Sequence, residues 1–212
     1  MAELLVFDLD GTLIDSRHDL AGAVNYMRQS MNLEPMDHER IIRMVGNGIN
    51  SLVRRAVADA DVDFETALKR MKRFYADHLL ESTTLYDGVA SGLAELQKSV
   101  SHLAVVTNKP AAATLKILEG LGVAKYFSDI IGGDGEYPLK PEPDALLALQ
   151  KKYNASAANC WMIGDHYTDL EAGRRANFRR ILVTYGFGDR KNETPDYSVD
   201  NFSEIANVIR GF

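Results

Sequence analysis

The chain has 212 residues, 46% of them hydrophobic, enough for one good core and a small second lobe. A net charge of -6 argues against a nucleic-acid surface, and the single cysteine, Cys160, rules out an internal disulfide framework and suits a reducing, cytoplasmic setting. No apolar run is long enough to cross a bilayer, residues 1–3 lead into an apolar segment without a signal-peptide pattern, and neither repeats nor low-complexity blocks are visible, so no membrane partner is expected.

The first β-rich run, residues 3–7, ends in Asp8-Leu9-Asp10. In a strand the two aspartates would point the same way with Leu9 turned to the core. Like charges so placed repel unless a cation lies between them or one keeps a proton. From residue 16 to about 84 the apolar residues recur with helical spacing: Ile49, Leu52, Val53, Ala56 and Val57 share one face, and weaker patterns cover 20–31 and 64–80. After that, β-rich runs at 102–107, 129–132, 160–164 and 181–185 alternate with helical patterns at 88–99, 110–121, 143–153 and 168–176. Such alternation predicts βαβ units and an α/β fold with a Rossmann-like parallel sheet covered on both faces. The expected organisation is a core of residues 1–15 and 85–212 and an all-helical insertion at 16–84. The insertion should stand over the carboxyl end of the first strand, where open α/β sheets hold ligands.

The strand ends carry the chemistry. Asp8 and Asp10 follow the first, Thr107-Asn108-Lys109-Pro110 the second, a loop to Lys140 the third, and Gly164-Asp165 with Asp169 the fourth. Hydroxyl, amide, lysine and acids gathered at one sheet edge suit a divalent cation and an anion. Simpler readings stand beside these. Pro110 fits the first position of a helix, though that helix start is also a phosphate seat. Thr168 and Glu171 fit a capping box, with Asp169 favoured by the helix dipole. Lys140 taken alone fits a solvated loop. Asp165 and the Asp8/Asp10 pair are harder to explain structurally.

The stretch "DLDGTLIDS" resembles the first motif, DxDGTLxDS, of phosphatases in the haloacid dehalogenase superfamily. "VVTNKP", Lys140 in "LKPEPDALL" and "IGDHYTDLEAG" resemble its second, third and fourth motifs in order, and the helical insertion sits where the family has its C1 cap. The resemblance covers residues 3 to about 185. It implies Asp8 as the nucleophile forming an aspartyl-phosphate, and Asp10 as general acid and then base. It implies Mg²⁺ held by Asp8, the Asp10 carbonyl and Asp165. Thr107, the Asn108 amide and Lys140 would hold the phosphoryl group, with Asp169 supporting. Asp10 points to phosphoryl chemistry, because dehalogenases of the superfamily lack an aspartate there.

The stretches "RMVGNGINSLVRRAV" and "TYGFG" are similar to phosphoglycolate phosphatases, which implies 2-phosphoglycolate as substrate and glycolate as product. "GNG" follows no strand, so it reads as a turn and helix start that reaches the site mouth, not as a dinucleotide motif. Arg55 reads as a surface or salt-bridge residue, and His166 as either an entrance or a solvent-facing residue. His18, His38, His78 and His102 lack metal-ligand spacing. Three alternatives remain open: a sugar phosphomutase of the β-phosphoglucomutase type, a broad phosphatase or pyrophosphatase, and a phospho-aspartate receiver. The last lacks a helical cap and a counterpart of Asp10. The partner expected is a small phosphorylated metabolite, and the chain could be a monomer or a homodimer.

Overall fold

The computed structural model describes residues 2–211. Its sheet is built from β1 (Leu4–Phe7), β4 (His102–Val106), β5 (Asp129–Ile131), β6 (Cys160–Gly164), β7 (Arg179–Val183) and β8 (Tyr197–Val199). The order is β5-β4-β1-β6-β7-β8, with every neighbour parallel. The α/β reading of the sequence therefore holds. The seventh strand starts and ends two residues earlier than the β-rich run at 181–185, and the three-residue β8 had no counterpart in the sequence reading.

Strand alternation explains both faces. Leu5, Phe7, Leu103, Val105, Trp161 and Ile163 join one buried cluster, while Leu4, Val6, Ala104, Val106, Cys160 and Met162 join another. The first face is covered by α5 (Val89–Leu96), α6 (Ala111–Gly120) and α9 (Glu204–Arg210), through Leu93, Ile117 and Ile205. The second is covered by α7 (Asp144–Lys152) and α8 (Tyr167–Arg175), through Leu146, Leu149 and Ala172. All four β1 side chains are fully buried, each worth about 1.5–3 kcal/mol of transfer free energy. That anchors the strand from which Asp8 projects.

Between β1 and α5 the chain leaves and re-enters through two short antiparallel strands, β2 (Ile14–Asp15) and β3 (Thr84–Leu85), which the sequence reading did not anticipate. The intervening segment is helical: α1 (Arg17–Ser30), α2 (His38–Ile42), α3 (Ile49–Ala56) and α4 (Phe64–Asp77). Leu52, Val53, Ala56 and Val57 are buried as the periodicity requires, and Ile49 is half-buried. Asp63 caps α4 by accepting from the Thr66 amide at 2.8 Å, and α1 packs on α4. Asp19 ties exit to entry, accepting from the Ser82 and Thr83 amides and, at 2.7 Å, from the Thr83 hydroxyl. Among the described residues no helix is long and apolar enough to cross a membrane.

Candidate active site

Parallel pairing brings the strand ends together. Phe7 is in register with Val105 of β4 and Ile163 of β6, and the Asp8 amide continues the ladder to the Ile163 carbonyl at 2.9 Å. Asp8 thus stands between Thr107 and Asp165, at the point where successive connections leave β1 in opposite directions. Strand alternation does not carry through to Asp10, however. β1 ends at Phe7, and Asp10 lies on an isolated bridge to Ile14, so the two aspartates have separate partners.

Asp8, Asp165 and Asp169 form one group, each with a carboxylate oxygen within 4.8 Å of the others, and all three are buried. Lys140, equally buried, donates to the Val106 carbonyl at 2.6 Å. It lies 3.0 Å from Asp8 Oδ1 and 2.7 Å from Asp169 Oδ1. Neither of those two oxygens has an aligned hydrogen bond. One ammonium among three buried carboxylates leaves excess negative charge. Burial, reinforced by Asp169 and only partly offset by Lys140, pushes Asp8 up to about 6. Burial, then Asp169 and Asp8, raise Asp165 well above the usual carboxylate range. Underused oxygens and excess charge fit a hard divalent cation. The solvated-loop alternative for Lys140 is excluded by its burial.

Asp165 is held from three sides. Its Oδ2 accepts from the Phe187 and Gly188 amides at 3.1 and 2.8 Å, and the Thr12 hydroxyl lies 3.3 Å from Oδ1. Gly11, at φ 86°, makes the turn after the first aspartates, and a Cβ there would sit 1.9 Å from Asp165 Oδ2.

Asp10 belongs to a different set. Its Oδ1 accepts from the Ser16 hydroxyl at 2.6 Å, and Lys109 Nζ contacts its two oxygens at 2.9 and 3.1 Å. The same ammonium donates to the Tyr75 hydroxyl of α4 at 2.6 Å. Burial works against the Lys109 charge, but Asp10 and Tyr75 outweigh it and hold the ammonium above its ordinary value. Burial pushes the Tyr75 phenol up to about 12. The helix-start reading of Lys109 was therefore incomplete. Pro110 is the residue before α6, not its first member, and Lys109 turns inward onto Asp10.

Asn108 spends its side chain on backbone. Its Nδ2 donates to the Gly46 and Lys140 carbonyls, both at 2.9 Å, and its Oδ1 accepts from the Lys140 amide at 2.9 Å. It thereby joins the loop bearing Lys140 to the turn before α3. In that turn Gly46 and Gly48 have φ of 109° and 81°, and both line the cleft, as the "GNG" reading anticipated. Arg55 is exposed and has no salt-bridge partner among the described residues; it donates to the Met44 carbonyl and Asn47 Oδ1, bracing this turn. Asn47 Nδ2 then donates to the Tyr167 hydroxyl at 2.7 Å.

The capping box of α8 is real, but its residues are His166 and Asp169, not Thr168 and Glu171. His166 Nδ1 accepts from the Thr168 amide, and Asp169 Oδ2 accepts from the His166 amide at 3.0 Å. Burial lowers His166 to about 4, so it is a neutral wall of the cleft. Tyr75, Ser16 and Thr12 were not singled out from the sequence, and Lys109 was named only as part of a helix start. The Ser16 and Thr12 hydroxyls lie inside the first motif, which is where a signal existed.

The cleft is lined by Asp8, Asp10, Asp165, Thr107 and Lys109, with apolar walls from Leu20, Val45, Ile49 and Leu52. Residues 5–183 match the haloacid dehalogenase-like hydrolase family. The chain is 37% identical to a phosphoglycolate phosphatase of Chromobacterium violaceum, over 97% of this chain and 96% of that one. It is 38% identical to another of Colwellia psychrerythraea, over 96% and 95%. The crystal structure of a predicted phosphoglycolate phosphatase from Haemophilus somnus superposes with a TM-score of 0.93 at 29% identity, covering 98% of this chain and 97% of that one. With the strand-end acids, the buried lysine and nearly full-length relatives in agreement, this chain belongs to the haloacid dehalogenase-like hydrolases and is a phosphatase.

Proposed function

We propose that this phosphatase hydrolyses small phosphate monoesters through an aspartyl-phosphate on Asp8, with Mg²⁺ as cofactor and 2-phosphoglycolate as substrate. The observation that carries the reading is Asp8 itself. It is a buried carboxylate facing a cleft, beside Lys140 and two further acids whose charge a single lysine cannot balance. Asp8 would attack phosphorus as the ester P–O bond breaks, giving the phosphoenzyme and an alkoxide. Asp10 would give that alkoxide a proton, then accept one from the water that cleaves the Asp8–phosphate bond. Lys140, the Thr107 hydroxyl and the Asn108 amide would hold the phosphoryl oxygens as charge develops on them. Asp8, Asp165 and the Asp10 carbonyl would hold Mg²⁺, which when bound would further neutralise phosphoryl charge. Asp169, 2.7 Å from Lys140, would fix that ammonium in place. Residues 16–84 would act as a cap over a core of 1–15 and 85–212, with the Gly46–Gly48 turn at the mouth.

The 2-phosphoglycolate assignment draws on the names of the relatives and on the small, mostly apolar cleft, which has few groups to hydrogen-bond a sugar. Phosphate release from a panel of 2-phosphoglycolate, hexose phosphates, nucleoside monophosphates, pyrophosphate and p-nitrophenyl phosphate, with Mg²⁺ and with EDTA, tests it. A Mg²⁺-dependent kcat/KM far higher for 2-phosphoglycolate supports the assignment. Uniformly low values would remove that substrate, and conversion of a hexose phosphate to its isomer would replace hydrolysis with mutase chemistry.

A further inference from the structure

We infer, resting on the phosphomonoesterase reading above, that Lys109 and Tyr75 form the subsite for a carboxylate on the leaving group. The substrate class so defined is phosphate esters of short 2-hydroxy acids. Such a substrate brings two anions into one small cleft. The phosphoryl group has its partners at Asp8, Lys140 and the acids that would hold the metal. The carboxylate needs a second, separate set of donors.

Among the described residues lining the cleft, Lys109 is the one lysine or arginine. Lys140 is engaged on the far side, by Asp8, Asp169 and the Val106 carbonyl. An ammonium has three donors, and Lys109 sets them against both Asp10 oxygens, at 2.9 and 3.1 Å, and the Tyr75 hydroxyl. Tyr75 accepts from Lys109 at 2.6 Å and keeps its own proton, which no other described group takes up. An incoming carboxylate at the wall of the cleft would take the free Tyr75 O–H and replace the longer of the two Lys109–Asp10 contacts, at 3.1 Å.

Spacing supports the same assignment. In a phosphorylated 2-hydroxy acid the ester oxygen and the carboxyl group are attached to the same carbon. The group that protonates the ester oxygen and the group that holds the carboxylate must therefore be near neighbours, and Asp10 and Lys109 are 2.9 Å apart. The remaining walls near them, Leu20, Val45, Ile49 and Leu52, offer no donors or acceptors for a hydroxylated leaving group. Tyr75 comes from α4 and Lys109 from the loop after β4, so the subsite exists only while the helical segment is seated on the sheet.

The test compares 2-phosphoglycolate with ethyl phosphate, which has the same two-carbon skeleton without the carboxylate, in the wild type, Lys109→Gln and Tyr75→Phe. The wild type should favour 2-phosphoglycolate. Lys109→Gln should cut kcat/KM for 2-phosphoglycolate on the order of 100-fold more than for ethyl phosphate, because a buried charge pair with substrate is lost. Tyr75→Phe should reduce the same ratio by roughly 10-fold, the scale of one hydrogen bond to a charged group. Equal losses on both substrates in both variants would overturn the subsite while leaving the substrate assignment intact. A wild type indifferent to the carboxylate would overturn both, with the phosphatase chemistry untouched. Tyr75→Phe keeps the buried ring, so it decides the matter if Lys109→Gln does not fold.

Discussion

Two buried lysines serve the site, Lys109 lining the cleft and Lys140 behind Asp8, and they differ in what surrounds them. Lys140 sits between Asp8 and Asp169, with Asp165 alongside, so its environment carries more negative charge than it can cancel. Lys109 is shared by one carboxylate, Asp10, and one neutral phenol, Tyr75, so its charge is matched. Excess negative charge at the sheet edge is costly by itself, and a bound cation would offset it. A matched pair at the wall is quiet, and the free Tyr75 O–H beside it suits recognition. Lys140's contacts come from the strand ends and α8, whereas Lys109 also depends on α4, inserted between β2 and β3.

Substitutions can break this contrast at several points. The largest effect should come from Asp8→Asn, which removes the nucleophile. Phosphate release should fall by more than about 10⁴-fold with the circular dichroism spectrum unchanged. Normal turnover in that variant, with the asparagine verified by mass spectrometry, would end the aspartyl-phosphate reading. Asp10→Asn should come next, and should depend on the leaving group. With 2-phosphoglycolate the loss should be about 10²–10⁴-fold, and with p-nitrophenyl phosphate, whose phenolate leaves without a proton, below about 10-fold. Equal losses would mean that Asp10 is not the acid.

Lys140→Ala should slow every phosphomonoester by about 10²–10³-fold, without the selectivity expected of Lys109→Gln. A substrate-selective loss at Lys140 would dissolve the contrast between the two lysines. Asp165→Asn should act in the opposite sense on stability. Removing one member of an overcharged cluster should stabilise the metal-free protein by about 1 kcal/mol, a rise in Tm of about 2–4 °C, and should abolish the stabilisation that added Mg²⁺ gives the wild type. A lower Tm in the metal-free variant would show that the Thr12, Phe187 and Gly188 hydrogen bonds outweigh the repulsion.

The smallest effect lies at the entry to the helical segment. The Arg17 guanidinium beside Asp15 holds that carboxyl below its ordinary value of 3.8. A depressed folded-state pKa stabilises above the unfolded value and is lost as pH falls through the folded one. Asp15→Asn should therefore lower Tm slightly near neutral pH, and the difference should close under strongly acidic conditions. A Tm gap independent of pH would show that the ion pair does not contribute.

Much of this is legible in the sequence. A parallel sheet forces polar residues at its strand ends to one edge, so Asp8, Thr107, Lys140 and Asp165 could be grouped from an alternating pattern and their positions in it. The helical segment was readable from Leu52, Val53 and Ala56. β2, β3 and β8 were not, because two or three residues carry no period. The α8 cap was assigned to Thr168 because threonine is the commoner cap. The chain instead stays extended through His166, whose ring nitrogen accepts from the Thr168 amide at 3.4 Å.

By itself, then, the sequence determined the sheet, the helical insertion and the ring of acids, since these follow from local periodicity and from strand direction. Only the tertiary structure decided which cation serves which acid. Tyr75 and Lys109 are 34 residues apart, and Lys109 and Asp10 are 99 apart. No local pattern encodes such a contact, which exists because α4, the loop after β4 and the turn after β1 pack against one another. The same packing turned Lys109 from a residue at a helix start into the wall of the cleft, and gave Asp10 a partner other than Lys140.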